Sequence, residues 1–379
     1  MLDYETLRVV WWVLLGLLLI GFAIMDGFDL GAAILLPFVG KTDDERRIVI
    51  NTLGPVWEGN QVWLILGGGA IFAAWPYLYA VAFSGFYLAM FLVLAALILR
   101  PVAITYRSKV ANPLWRRVWD WAFFVSGLVP ALIFGVALGN ALRGVPFRFD
   151  DTMRMTYEGN LFGLLNPFAL LCGLTSVAML TMQGSTFLAA KADDPVGERA
   201  ASIGRIAAAA TIVLFALGGL WLALGVDGYA ITSALAPDGP SNPLLKTVAI
   251  EHGAWLKNYA LHRGFLAAPI VGFVGAMLAI AMLAMRRDGL AFLASSISTA
   301  GIVATVGAST FPFLLPSSLA PNASLTIWDA SSSQLTLMIM LVATGIFLPI
   351  ILAYTAFVFR VLRGRVMQSY VTQNSKTAY

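Results

Sequence analysis

The chain has 379 residues, of which 59% are hydrophobic and only 12% charged. Soluble domains carry about 25% charge, so too few polar side chains remain to cover a surface in water, and a soluble globular protein is excluded. The formal net charge of +4 arises from basic residues scattered over many short connections. They form no patch or stripe of the kind nucleic acid requires, and no nucleic-acid partner is expected.

A spanning helix needs about 20 mostly apolar residues. Nine stretches qualify, at residues 9–36, 56–74, 78–99, 118–142, 161–183, 206–226, 265–285, 290–311 and 335–359. Their length predicts helices, because barrel strands are short and alternate. The expectation is an all-α integral membrane protein of about nine transmembrane helices, with residues 1–379 forming a single polytopic membrane domain. The second stretch is the least apolar, because it opens with Glu58, Asn60 and Gln61. The first is far longer than the roughly 7–15-residue core of a signal peptide. No small-residue cleavage site follows it, so it reads as a retained span. The longest connection, residues 227–264, holds Pro237, Asp238, Gly239, Pro240 and Pro243, which read as turns.

Orientation follows from the bias of Lys and Arg. Alternate connections place seventeen of the 24 basic residues on one side, among them Lys41, Arg46, Arg47, Arg100, Arg107, Lys191, Arg286, Arg365 and Lys376. The other side has seven: Arg8, Arg143, Arg148, Arg154, Lys246, Lys257 and Arg263. The expected topology has the N-terminus outside (periplasmic) and the C-terminus cytoplasmic.

Ionisable groups inside a bilayer cost about 2.5–3.5 kcal/mol or more, so each one needs a reason. The first stretch contains Met25-Asp26-Gly27-Phe28-Asp29-Leu30-Gly31. Asp26 and Asp29, three residues apart, lie on nearly the same helical face. In the expected topology both fall in the cytoplasmic half. Glu58 starts the second stretch on that side, and the third ends there at Arg100-Pro101. Three acids and an arginine from three consecutive helices can therefore meet at one level, as a proton relay requires. The same residues also read as a structural ion pair locking the helices, and Glu58 reads as an anion at a helix start. Asp120, in Trp119-Asp120-Trp121, reads as an aromatic-belt or capping residue.

His252 and His262 are the two histidines, and both fall in the long sixth connection rather than in a span. Cys172 is the single cysteine, and no C-x-x-C-H is present. Haem iron is usually held by His, Cys or Met, so this chain lacks the usual bis-imidazole ligands, and no metal ligands are assigned. There is no phosphate-binding loop. The apolar segment 311–318, kinked by Pro312 and Pro316, reads as a packed loop, with docking on a partner as the alternative. The sequon at Asn322-Ala323-Ser324 is a weak match.

These residues carry a resemblance. Asp3-Tyr4-Glu5-Thr6-Leu7-Arg8 with Trp11-Trp12, and Gly21 to Gly31 with its Asp26-Gly27-Phe28-Asp29 core, resemble subunit II of the cytochrome bd ubiquinol oxidases. So do Gly59-Asn60-Gln61-Val62-Trp63, Phe72-Ala73-Ala74-Trp75-Pro76, Ala82-Phe83-Ser84-Gly85-Phe86-Tyr87 and Tyr106-Arg107-Ser108-Lys109. Asn322-Ala323-Ser324-Leu325-Thr326, Trp328-Asp329-Ala330 and Ser332-Ser333-Gln334-Leu335-Thr336 extend it to the end of the chain.

The resemblance implies two four-helix bundles plus one peripheral helix, in the bacterial inner membrane. It implies a haem-bearing subunit I as partner, holding two b-type haems and haem d, and often a very small third subunit. Ubiquinol or menaquinol is oxidised by the complex and dioxygen reduced to water. The reaction is electrogenic because chemical protons come from the cytoplasm, without pumping. Some members hold a structural quinone against subunit II. The cytoplasmic proton path maps onto Asp29 and Glu58, with Arg100 nearby; Asp26 is added by proximity. The best-known members carry Asp where this chain has Glu58. Two further readings stand beside this one: a purely structural membrane scaffold, and a proton-coupled transporter, for which the paired broken helices of such folds are not evident.

Overall fold

Asp3 starts the first helix, its carboxylate accepting the Thr6 N–H at 2.7 Å, a side-chain N-cap. In the computed structural model, which describes residues 2–373, that helix runs unbroken over Tyr4–Val39 as span 1. Lys376, counted above on the basic side, lies outside the described residues. Seven further helical stretches are long and apolar enough to cross a membrane. They are Tyr87–Lys109 (span 3), Pro113–Arg143 (span 4), Pro167–Lys191 (span 5) and Val196–Gly225 (span 6). Arg263–Ala284 (span 7), Asp288–Thr310 (span 8) and Gln334–Val361 (span 9) complete the set.

Span 2 is the helix Trp57–Ala74, whose 18 residues measure about 27 Å. It falls outside that set because Glu58, Asn60 and Gln61 dilute its first turn. It still travels the same depth as span 1, antiparallel to it. Asn60 meets Asp29 near one end, Trp63 lies against Gly21, and Leu19 lies against Gly67. At the other end Ala74 and Trp75 share a buried cluster with Leu7 and Trp11.

Spans 1–4 form one bundle, in which span 1 packs on spans 2 and 4 and span 3 packs on span 4. Spans 5–8 close a second, in the order 5–6–7–8 and back to 5. Span 1 also seats against spans 5 and 8, joining the two. Span 9 is peripheral: only 6% of its apolar stretch is buried.

Several boundaries differ from expectation. The third apolar stretch divides at Phe86, so the membrane span begins at Tyr87, and Pro76–Gly85 is a separate helix with Leu78 and Val81 in the Trp75 cluster. Span 3 also continues past Arg100-Pro101 to Lys109. Arg100 is therefore not at the end of the helical stretch; it is fully buried within it. Pro101 has no N–H to give the Leu97 carbonyl, and the helix steps at Ile98, between Tyr87–Leu97 and Leu99–Tyr106. In the fifth stretch, Asn160 caps the short helix Leu161–Leu164, and Asn166 caps a new start at Pro167. An Asn-Pro pair at N-cap and N1 favours such a restart.

One face of the molecule carries the start of span 1 and three antiparallel hairpins. Phe147–Phe149 pairs with Met155–Tyr157, Asp227–Ile231 with Val248–His252, and Phe313–Leu315 with Leu325–Thr326. Buried Arg8 holds the proline-rich connection, donating to the Pro237 and Gly239 carbonyls at 2.5 and 2.9 Å. Lys246 pairs with Asp329 at 2.7 Å, both buried, and also donates to the Ser324 carbonyl at 2.5 Å. Burial pushes the Lys246 ammonium below its usual pKa, and Asp329 opposes the shift. The 311–318 segment is a packed loop, with Phe313, Leu315 and Ser317 buried. The Asn322 side chain accepts the Val248 N–H at 2.8 Å.

The opposite, basic face is tied by ion pairs. Asp120 does not serve as a belt or cap residue. It is buried between Arg107 and Arg46, at 2.5 and 2.7 Å. Folding makes this pairing because Arg107 ends span 3 and Asp120 starts span 4, while Arg46 arrives from the helix Asp43–Leu53. Glu45, on that helix, caps Lys41 and Thr42 and takes two bonds from Arg199, at 2.7 and 3.1 Å. The Arg199 bond, more than any other contact, holds the Glu45 carboxyl down at about 2.

Candidate proton-relay site

The Asp26-Gly27-Phe28-Asp29-Leu30-Gly31 segment presents two different faces. Gly27 and Gly31, four apart, face span 5. A Cβ on Gly31 would lie 1.9 Å from the Leu180 carbonyl oxygen, and one on Gly184 would lie 2.4 Å from the Ala32 nitrogen. Small residues at this spacing let membrane helices approach backbone to backbone. That contact fixes the rotation of span 1 and turns its two aspartates toward spans 2 and 3.

There the carboxylates find different partners. Asp26 binds the Arg100 guanidinium through two of its three nitrogens, Nη1 to Oδ1 and Nη2 to Oδ2, the latter at 3.5 Å. Both residues are fully buried. A buried pair of this kind is close to energetically neutral overall, but removing one partner costs about 3–5 kcal/mol. Asp29 accepts the Asn60 carboxamide N–H on Oδ2 at 2.9 Å. Its Oδ1 is buried with no partner among the described residues. An unsatisfied buried oxygen is rare and needs an explanation such as a chemical role or an ordered water.

Glu58 stands apart. It lies in the first turn of span 2, two residues before Asn60, but its side chain is on the exposed face of that helix. Thus Asp26, Asp29 and Arg100 come together as their depth predicts, and Glu58 joins them only through the turn that carries Asn60. The relay expected from sequence does not include Asn60. A carboxamide inside the apolar stretch of span 2, at the level of the aspartates, is the signal that points to it.

His252 is on an exposed hairpin strand and His262 ends the helix Ala254–Leu261, so neither lies in a span. Among the described residues no group of three or more His, Cys, Asp or Glu side chains is placed to hold a metal ion. The side chains present do not fit axial ligation of a haem between two imidazoles inside the membrane.

Comparison with known proteins agrees in length and in fold. The chain is 48% identical over 379 residues to the probable cytochrome oxidase subunit 2 of Haemophilus influenzae, covering all of both chains. It has the same identity and coverage with the cytochrome bd-I ubiquinol oxidase subunit 2 of Escherichia coli. With the cytochrome bd ubiquinol oxidase subunit 2 of Bacillus subtilis it is 30% identical, over 95% of this chain and 97% of that one. A chain of the bd oxidase structure from Geobacillus thermodenitrificans has the same fold, with TM-score 0.69 at 20% identity, over 94% of this chain and 98% of that one. The profile of one family, described as cytochrome bd terminal oxidase subunit II, matches residues 7–362. With a match of that extent and relatives of that identity, the chain belongs to the cytochrome bd terminal oxidase subunit II family.

Proposed function

We propose that this chain works as one polytopic unit in the bacterial inner membrane, as the haem-poor partner of a cytochrome bd-type quinol:dioxygen oxidoreductase. In this reading subunit I carries the two b-type haems, haem d and the site of quinol oxidation. A very small third subunit completes the complex, and ubiquinol or menaquinol supplies electrons. The basic face is cytoplasmic, as the Lys and Arg bias favours, and the hairpin face is periplasmic.

The contribution of this chain is a proton path from the cytoplasm. Glu58, on an exposed face near the cytoplasmic end of span 2, takes up protons. Asn60 links that turn to Asp29, whose free Oδ1 holds and releases the proton in the membrane interior. Arg100 and Asp26 form a fixed neutral pair beside it, so that only Asp29 changes charge as the proton passes. Protons consumed on one side in reducing oxygen make turnover electrogenic without a pump. The observation that carries this reading is the buried, unpartnered oxygen of Asp29, one hydrogen bond from the turn that bears an exposed acid.

The test is Asp29→Asn in the intact complex. Quinol-driven oxygen consumption falls while the haem spectra remain, and Asp29→Glu restores turnover. Loss of haem and assembly together would assign Asp29 to scaffolding instead. A chain that purified alone and colourless would favour a transporter.

A further inference from the structure

Near the hairpin face, spans 3 and 4 diverge around an apolar groove of about 230 Å³. Phe86 and Ala89 form one wall, Leu132 and Val136 the other, and Leu161 and Leu165 the roof. The roof is held in place by one buried carboxamide. Asn140 donates to the Leu164 and Val136 carbonyls at 2.8 Å each and accepts from Asn166 at 3.0 Å. The groove is therefore a built feature rather than loose packing. On span 4 it extends from Val129 to Asn140, about 16 Å along the helix, close to the thickness of one leaflet's hydrocarbon, about 15 Å.

Arg143 continues the same stripe. It follows Val136 by seven residues and Asn140 by three, which places it on the groove's face of the helix. It is exposed and has no ion-pair partner among the described residues. An apolar slot one leaflet deep, with an unpaired guanidinium at its membrane-surface end, matches an acyl chain joined to a phosphate. Phe162, 82% exposed beside the roof, provides an apolar contact at the interface.

We propose that this groove holds one anionic phospholipid, its chain along Leu132 and Val136 and its phosphate on Arg143. The site is on the hairpin face, away from Asp29, and does not depend on the relay.

The test uses the intact complex in nanodiscs of phosphatidylethanolamine with phosphatidylglycerol, examined by native mass spectrometry after detergent delipidation. The expected result is one retained phosphatidylglycerol per complex. Leu132→Trp, or the milder Ala89→Leu, fills the groove and removes it. Arg143→Gln weakens phosphatidylglycerol retention about fivefold, the effect of one surface cation, and abolishes the preference over phosphatidylethanolamine. Haem content, unchanged in all three variants, reports that they fold. Equal lipid retention in the wild type and both groove variants would overturn the proposal, as would a quinone in place of the phospholipid in the wild-type extract.

Discussion

Asn60 on span 2 donates to Asp29 on span 1 at 2.9 Å, while Arg100 on span 3 holds Asp26 one turn away. Two carboxylates three residues apart on one helix are thus claimed by two different neighbours. One is neutralised by a permanent cation, and the other meets only a neutral amide. Their chemistry is split accordingly, and mutations at the two partners are expected to differ in kind.

Replacing Asn60 with Leu removes the donor from Asp29 and leaves the ion pair intact. A hydrogen bond to a charged group contributes about 1.5–3 kcal/mol, so turnover is expected to fall about tenfold or more. The check is quinol-driven oxygen consumption with haem content measured on the same sample. Unchanged turnover would remove Asn60 from the relay.

Arg100→Leu leaves Asp26 buried and unpaired, at a cost of about 3–5 kcal/mol. Assembly or thermal stability of the purified complex is expected to fall sharply. The double change Asp26→Asn with Arg100→Gln removes both charges and recovers part of the loss. If the single and double variants melted alike, the ion pair would not be the cause.

Gly31→Val inserts a side chain where its first carbon already lies 1.9 Å from the Leu180 carbonyl oxygen. Overpacking of this sort costs about 1–3 kcal/mol, and here the obstacle is backbone that cannot rotate away. Spans 1 and 5 are forced apart, and assembly yield falls. Gly59→Ala, whose added Cβ meets nothing within 4 Å, is the matched control on span 2.

Acid weakens the Glu45–Arg199 junction. The Glu45 carboxyl, at about 2 against an ordinary 4.5, binds protons more weakly in the folded state than in the unfolded one. Its contribution to stability is complete above pH about 4.5 and is lost as pH falls toward 2. Limited proteolysis around the helix Asp43–Leu53 is expected to increase over that interval in the wild type. Glu45→Gln should be cut more readily at neutral pH and show little added dependence on acid.

The order of residues is enough to read the long apolar helices, the basic and less basic faces, and the presence of acids and an arginine within those helices. These are local properties: an apolar run must be buried in lipid, and a charge bias can be counted along the chain. Even the weakest span, Trp57–Ala74, is legible, although its polar first turn disguises it. Which side chains meet is settled only by the packing of the helices. Asp26 and Asp29 share one face by spacing, so sequence could not say which would take Arg100. The choice depends on the rotation of span 1, set by Gly27 and Gly31 against span 5, and on the step in span 3 that Pro101 creates. The buried Arg107–Asp120 pair and the groove beneath Arg143 arise in the same way, from separate helices brought into contact. Hydropathy records how strongly each helix prefers lipid, but it carries no information on which neighbour its polar atoms will find.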